Sequence, residues 1–192
     1  WAPVLVQAQA GLVKAGTTRP LVARFENAAV SYVVYLRKML WPNDLAVFYP
    51  HPGDALPTWK VAASLVLLVA ITLLALAQCR RRPYLLVGWL WYVGTLVPLS
   101  GIIQAGLHAM TDRHSYIPLV GLYVAIAWFL ADMTKRWKSR TKLLSVFAAL
   151  VVLVLSVLSW RQTHLWKDNI TLFEHTIAVT ENNDVARYNL AL

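Results

Sequence analysis

Four apolar stretches, at 58–79, 84–101, 116–131 and 143–160, hold almost no charge between their ends; Lys60, near the start of the first, is the exception. At ~1.5 Å rise per residue, each is long enough as a helix to cross most or all of a bilayer's hydrocarbon core. One ionised side chain at the centre of such a helix costs on the order of 3 kcal/mol on insertion scales, so the charge-free runs are what lipid demands. The expected fold class is all-α: a polytopic membrane helix bundle of four spans at 58–160.

Apolar residues make up 58% of the chain, yet its formal charge is +9. In a soluble protein that balance would point to nucleic acid; here the positions of the charges assign it to topology. Arg80, Arg81 and Arg82 lie between the first two stretches, and Lys135, Arg136, Lys138, Arg140 and Lys142 lie between the last two. By the positive-inside rule these are cytoplasmic loops, and both ends of the chain are extracytoplasmic. No nucleic-acid partner is expected, and anionic-lipid binding is a secondary role for the basic runs. The expected location is a bacterial inner membrane in preference to the endoplasmic reticulum. Trp59 and Trp160 fall at the outer interface and Trp137 at the inner one, where an indole buries its ring and keeps its N–H wet. Cys79 is the single cysteine, so no internal disulfide forms. Its place beside Arg80 permits either lipidation or a plain buried thiol.

The extracytoplasmic segment 1–57 contains an amphipathic helix at 24–40. Phe25, Ala29, Tyr32, Val33, Leu36 and Leu40 recur at spacings of three and four, with Asn27, Ser31 and Lys38 on the other side. Trp41-Pro42 stops it. Such a helix either lies along the outer surface with its apolar stripe in the lipid boundary or packs against the bundle. The following LAVFYPHPGDALP cannot continue a helix and makes a shaped loop, in which His51 either meets a ligand or stays an exposed histidine.

Between the second and third spans lies TDRHSYIPLVG. Asp112 and Arg113 are opposite charges at the membrane face, and Pro118 removes a backbone donor from the start of the next helix. Two readings stand. In one, the arginine fork meets phosphate oxygens, Asp112 holds the fork, and Tyr116 adds a hydroxyl at headgroup depth. In the other, this is an ordinary solvated loop. His108 and His114 have neither helical-face spacing nor a cysteine or carboxylate cluster, so no zinc site is expected.

After the fourth span, residues 161–192 change texture. Leu172, Phe173, Ile177 and Ala178 form one apolar stripe, ENND makes a turn, and Val185, Ala186, Tyr188 and Leu190 begin a second helix. A hairpin of this kind cannot bury its apolar face alone and normally stacks on further repeats. The opening at Trp1 and the ending within a helical pattern lead to the expectation of a piece of a longer chain.

These last residues resemble the entry into a tetratricopeptide repeat array: Trp166, Leu172-Phe173, Ala178, Asn183, Ala186 and Tyr188-Asn189-Leu190 stand where that family has its signature residues. Glu181 departs from its helix-ending proline and Ala191 from its glycine. With RFENAAVSYVVYLRKMLWPNDLAVFYPHP and TDRHSYIPLVG ahead of a last span leading into the repeat, the chain is similar to the transmembrane-and-tetratricopeptide-repeat proteins. Those are O-mannosyltransferases of the GT-C fold, with bacterial relatives. The likeness covers nearly all of this chain and the carboxy-terminal half of that family's membrane domain.

The resemblance implies transfer of a sugar from a polyprenyl-phosphate donor to a protein hydroxyl on the extracytoplasmic side, the repeats presenting the acceptor. The expected partners are the lipid bilayer, the polyprenyl-phosphate sugar and a protein acceptor, with no cofactor in this part. The family's catalytic acid lies in a first outer loop that this chain lacks, so no catalytic residue is assigned. Arg113 is expected to contact the lipid phosphate, supported by Asp112 and Tyr116. Two rivals remain: a noncatalytic membrane-anchored repeat scaffold, and an O-antigen ligase or polymerase-like enzyme using a polyprenyl diphosphate.

Overall fold

The computed structural model describes residues 20–50, 56–100, 108–110, 112, 115–180 and 182–191. Among them are seven α-helices: α1 Leu21–Leu40, α2 Thr58–Gln78, α3 Pro83–Leu96, α4 Tyr116–Met133, α5 Arg140–Leu165, α6 Asn169–Val179 and α7 Asp184–Leu190. Two short strands, β1 Tyr49–Pro50 and β2 His108–Met110, pair antiparallel, with Tyr49 opposite Met110.

Helix ends follow from local chemistry. Trp41 is extended ahead of Pro42, as a residue before proline must be, and its N–H closes α1 on the Arg37 carbonyl at 2.9 Å. Pro83 sits in the first turn of α3, where its missing N–H costs nothing. The second apolar stretch, expected as one span over 84–101, is α-helical only to Leu96 and tightens to a 3₁₀ turn at Val97–Leu99. Pro98 has no N–H to give the Gly94 carbonyl, so the α-ladder cannot continue through it. Three helices, α2, α4 and α5, are long and apolar enough to cross a membrane. The shorter α3 lies between them in sequence and packs against α2 and, above all, α4.

The α3–α4 contact is built on glycine. A Cβ placed on Gly88 would meet the Gly121 carbonyl and lie 2.7 Å from the Ala125 Cβ; one on Gly121 would lie 2.8 Å from the Gly88 carbonyl oxygen and the Trp91 Cβ. Small residues let the two backbones approach, which replaces the hydrophobic drive that lipid removes. The Trp91 indole N–H donates to the Ile117 carbonyl at 3.0 Å across the same contact. Beneath it, Trp89 donates to Thr72 Oγ1 at 3.0 Å and so ties α3 to α2.

Of the two placements open to the first helix the structure shows packing against the bundle, and it corrects which side turns inward. Asn27, Ser31 and Lys38 do not form a water-facing side: all three are buried, on one face with Ala28, Tyr32 and Tyr35. Phe25, by contrast, is 58% exposed and Leu40 74%. The helix packs on the bundle with polar groups inward, where they find partners. Asn27 Nδ2 donates to the Ser100 carbonyl at 3.4 Å and the Tyr32 hydroxyl to the Val93 carbonyl at 2.7 Å. The Tyr92 hydroxyl donates back to the Tyr32 carbonyl at 2.6 Å, with the two rings edge-on. In hydrocarbon an unpaired polar group costs several kcal/mol, so a helix beside lipid turns its polar stripe toward protein.

The opposite end of the bundle carries the basic runs. There Asp132, at the end of α4, accepts from the Tyr84 hydroxyl at 2.7 Å and pairs with Lys135 at 2.5 Å and Arg82 at 3.8 Å. One acid thus links both basic loops, placing them at the same end as the hydropathy pattern requires. Helix α5 carries no buried residue, and between its charged end turns, over 143–160, it holds no charged side chain on any side; a stretch of that kind is made for an apolar surrounding.

Candidate functional site

At the end of the bundle away from the basic runs, three polar side chains from distant parts of the chain converge. Lys38, in the last turn of α1, reaches both carboxylate oxygens of Asp112 at 3.1 and 3.0 Å. Tyr49 of β1 donates its hydroxyl to Asp112 Oδ2 at 2.5 Å and accepts from the Lys38 ammonium and from the Ala46 N–H. The ammonium also lies 4.0 Å from the centre of the Tyr49 ring. Strand pairing brings this about, because β1–β2 sets Tyr49 against Met110, two residues ahead of Asp112. Asp44, at φ 52°, makes the turn that feeds the strand; a short polar side chain tolerates that left-handed backbone.

Burial shapes the electrostatics. Only 7% of the Lys38 side chain and 17% of Asp112 are exposed. Burial pulls the Lys38 ammonium below its ordinary pKa, and the Asp112 charge and hydrogen bonds oppose that pull. The Tyr49 phenol is pushed up, first by burial and then by the Asp112 carboxylate beside it, so it stays a hydrogen-bond donor at neutral pH. Ammonium and carboxylate cancel, leaving a neutral, hydrogen-bonded cluster with a carboxylate that borders a cavity.

That cavity, of about 260 Å³, is lined by Asp112, by Leu45, Ala46 and Val47 of the loop before β1, and by Gln162, Trp166 and Leu172. The cluster therefore opens toward the segment that follows α5. Asp168 caps α6 by accepting the Thr171 N–H at 2.7 Å, and that bond holds its carboxyl below the usual range. Asn182, at φ 50°, turns the chain, and Asn183 caps α7 by accepting the Ala186 N–H at 3.0 Å. Asn183 is almost fully buried because it does more than cap: its Nδ2 donates to the Phe48 carbonyl at 3.0 Å and to Thr180 Oγ1 at 2.8 Å. A single amide thus fastens α6–α7 to the loop that carries Tyr49.

Replacing Asn183 separates these roles. Asn183→Asp keeps the capping oxygen and loses the donor to Phe48; Asn183→Ala loses both, the cap alone being worth about 1 to 2 kcal/mol. Hydrogen exchange should show faster exchange around 44–50 in both variants and a frayed α7 only in the alanine variant. Unchanged protection of the loop in both would mean that the Phe48 tie carries no weight.

Of the residues singled out in the sequence, Asp112 stands in the cluster, held by Lys38 and Tyr49. Arg113, His114 and His51 lie outside the described residues. Tyr116 opens α4 with 65% of its surface exposed, and no hydrogen bond among the described residues joins it to Asp112. Trp166 and Leu172 line the cavity, while Tyr188 is exposed. Among the described residues, no three or more His, Cys, Asp or Glu side chains gather in a way that would hold a metal. Sequence reasoning missed Lys38 and Tyr49 as partners of Asp112. A signal for Lys38 was present: it shares a helical face with Asn27 and Ser31, and polar groups on a helix in an apolar protein mark the face turned inward.

Compared with protein-family models, curated proteins and solved structures, the chain matches none. The fold and the cluster therefore define a class only: a helical membrane protein with three helices apolar enough to span and a polar cluster at one end.

Proposed function

We propose that the chain is part of an integral membrane glycosyltransferase that moves a sugar from a polyprenyl-phosphate donor to a protein hydroxyl outside the cytoplasm. The reading includes four spans, with α3 as the second, and a tetratricopeptide array beginning at 161–192. One observation carries it. The Asp112 carboxylate borders the same cavity as Trp166 and Leu172, so the loop assigned to the donor phosphate and the segment assigned to acceptor presentation meet at one place. The motif likeness to the transmembrane-and-tetratricopeptide-repeat proteins supplies the chemistry. Arg113, next to the anchored Asp112, contacts the donor phosphate and stabilises charge as the sugar leaves; Asp112 fixes the loop, with Tyr116 at its edge.

The test uses the full-length protein. Arg113→Ala is expected to lose about 1.5 to 3 kcal/mol of transition-state stabilisation, roughly ten- to a hundredfold in transfer rate. Arg113→Lys keeps the charge without the fork and should lose part of that. Wild-type rates and wild-type donor affinity in Arg113→Ala would remove the role.

A second reading, a membrane-anchored repeat scaffold without catalysis, is favoured by the neutral pairing of Lys38 with Asp112 and by the Asn183–Phe48 tie, both of which fasten rather than react. It predicts no binding of a polyprenyl-phosphate sugar to the full-length protein.

A further inference from the structure

At the basic end of the bundle a second cavity, of about 310 Å³, runs between α2, α3 and α4. Ile71, Leu74, Leu85, Leu122, Ile126 and Phe129 make most of its wall, and Gln78 is the one amide on it. This size is at the lower limit of ligand-holding clefts, ~300 to 1,000 Å³. Such an apolar groove, on helices built to face hydrocarbon, suits a hydrocarbon chain and offers nothing to a polar ligand.

Its mouth has the opposite character. Arg82 stands over the Phe129 ring, 5.0 Å from its centre, and its backbone N–H donates to the Gln78 carbonyl at 2.7 Å. Asp132 joins Arg82 to Lys135 here. Eight Lys and Arg residues, at 80–82 and 135–142, face that single acid across the two loops. Both loops are therefore left with unmatched positive charge beside the open end of an apolar groove. Basic clefts between transmembrane helices on one membrane face are the usual seats of acidic lipid headgroups.

We infer that this groove binds one anionic diacyl phospholipid, an acyl chain lying between α2 and α4 and the headgroup phosphate at the basic rim beside Arg82 and Lys135. The groove supplies the chain contact and the two loops the charge, so the site distinguishes an acidic lipid from a zwitterionic one with the same chains. Asp132 holds both cations in place and cancels one of their two charges, so the trio keeps a net positive charge, to which the other Lys and Arg of the two loops add. This site is at the end opposite the Asp112 cavity and does not depend on a glycosyl-transfer activity.

The experiment is native mass spectrometry of the full-length protein in detergent, titrated with dioleoylphosphatidylglycerol or dioleoylphosphatidylcholine. The wild type should retain one phosphatidylglycerol at a concentration at least tenfold below that needed for phosphatidylcholine. Arg82→Gln with Lys135→Gln should erase that preference. Ile126→Trp, which fills the groove and leaves every charge in place, should lower retention of phosphatidylglycerol at least tenfold, with helix content checked by circular dichroism. Equal retention of the two lipids by the wild type would overturn the inference. Full retention in Ile126→Trp would assign the binding to the basic loops alone and overturn the groove. A change of oligomeric state in Ile126→Trp without any lipid preference would give the groove to a protein helix and overturn it as well. If Ile126→Trp loses helix content, Leu122→Phe, a smaller filling change on the same wall, replaces it under the same criteria.

Discussion

Removing the Lys38 ammonium while Asp112 stays in place is expected to destabilise the protein by about 3 to 5 kcal/mol, because it leaves a carboxylate buried without its counter-charge. Lys38→Met keeps the length and apolar character of the stem, so the loss is one of charge and hydrogen bonding rather than of packing. Asp112→Leu alone should cost a similar amount by stranding the ammonium. Together the two changes should cost far less than their sum, since an apolar pair of similar volume often replaces a buried ion pair at little penalty. Reversible unfolding in mixed micelles measures the double-mutant cycle, with an expected coupling of about 2 kcal/mol or more. Additive losses would mean that the two charges are independently solvated and that the cluster does not hold α1 and β1 to the loop before α4.

The second large effect concerns the glycine contact. Gly121→Leu drives a branched side chain into the Gly88 carbonyl and the Trp91 Cβ, and the backbone atom struck cannot move aside without shifting α3. The expected loss is at least 1 to 3 kcal/mol, the ordinary range of overpacking, and more because backbone is among the atoms struck. Gly94→Leu is the matched control on α3. A Cβ there meets nothing within 4 Å, so no packing cost is expected, and loss of a glycine inside a helix should leave stability unchanged or raise it by up to about 1 kcal/mol. Equal effects of the two substitutions would contradict the close approach of α3 and α4.

The apolar runs were legible because lipid imposes one strong rule, and the helices at 58–78, 116–133 and 140–165 follow it closely. The helix at 21–40 was legible as an element and misjudged in orientation. Its polar stripe obeys the bilayer's inside-out logic, whereas the periodicity of Asn27, Ser31 and Lys38 reads the same for a helix on a water surface. Pro98 was visible in the sequence, but its effect on α3 depends on a neighbouring turn that can tighten rather than kink. Asp132 shows why local charge counting falls short: it stands just past the third apolar run and looks like a loop residue until Tyr84, Arg82 and Lys135 are brought to it. Asp112 drew attention through its neighbour Arg113, yet its described partners come from residues 38 and 49, and no spacing rule reaches across such distances. Asn183 was recognised as a turn residue; its second role, the bond to Phe48, is tertiary and left no mark on the pattern.

The proposed topology puts the basic loops and the Lys38–Tyr49–Asp112 cluster on opposite sides of a membrane, with the cluster and the α6–α7 pair outside. Single cysteines introduced by Lys138→Cys and Asp184→Cys, each in a Cys79→Ser background, test it directly with a membrane-impermeant thiol reagent applied to intact cells. Position 138 should react only after the membrane is opened, and position 184, whose side chain is 90% exposed, should react at once. Labelling of position 138 in intact cells, or protection of position 184 there, would contradict the arrangement and with it the extracytoplasmic placement of the cluster.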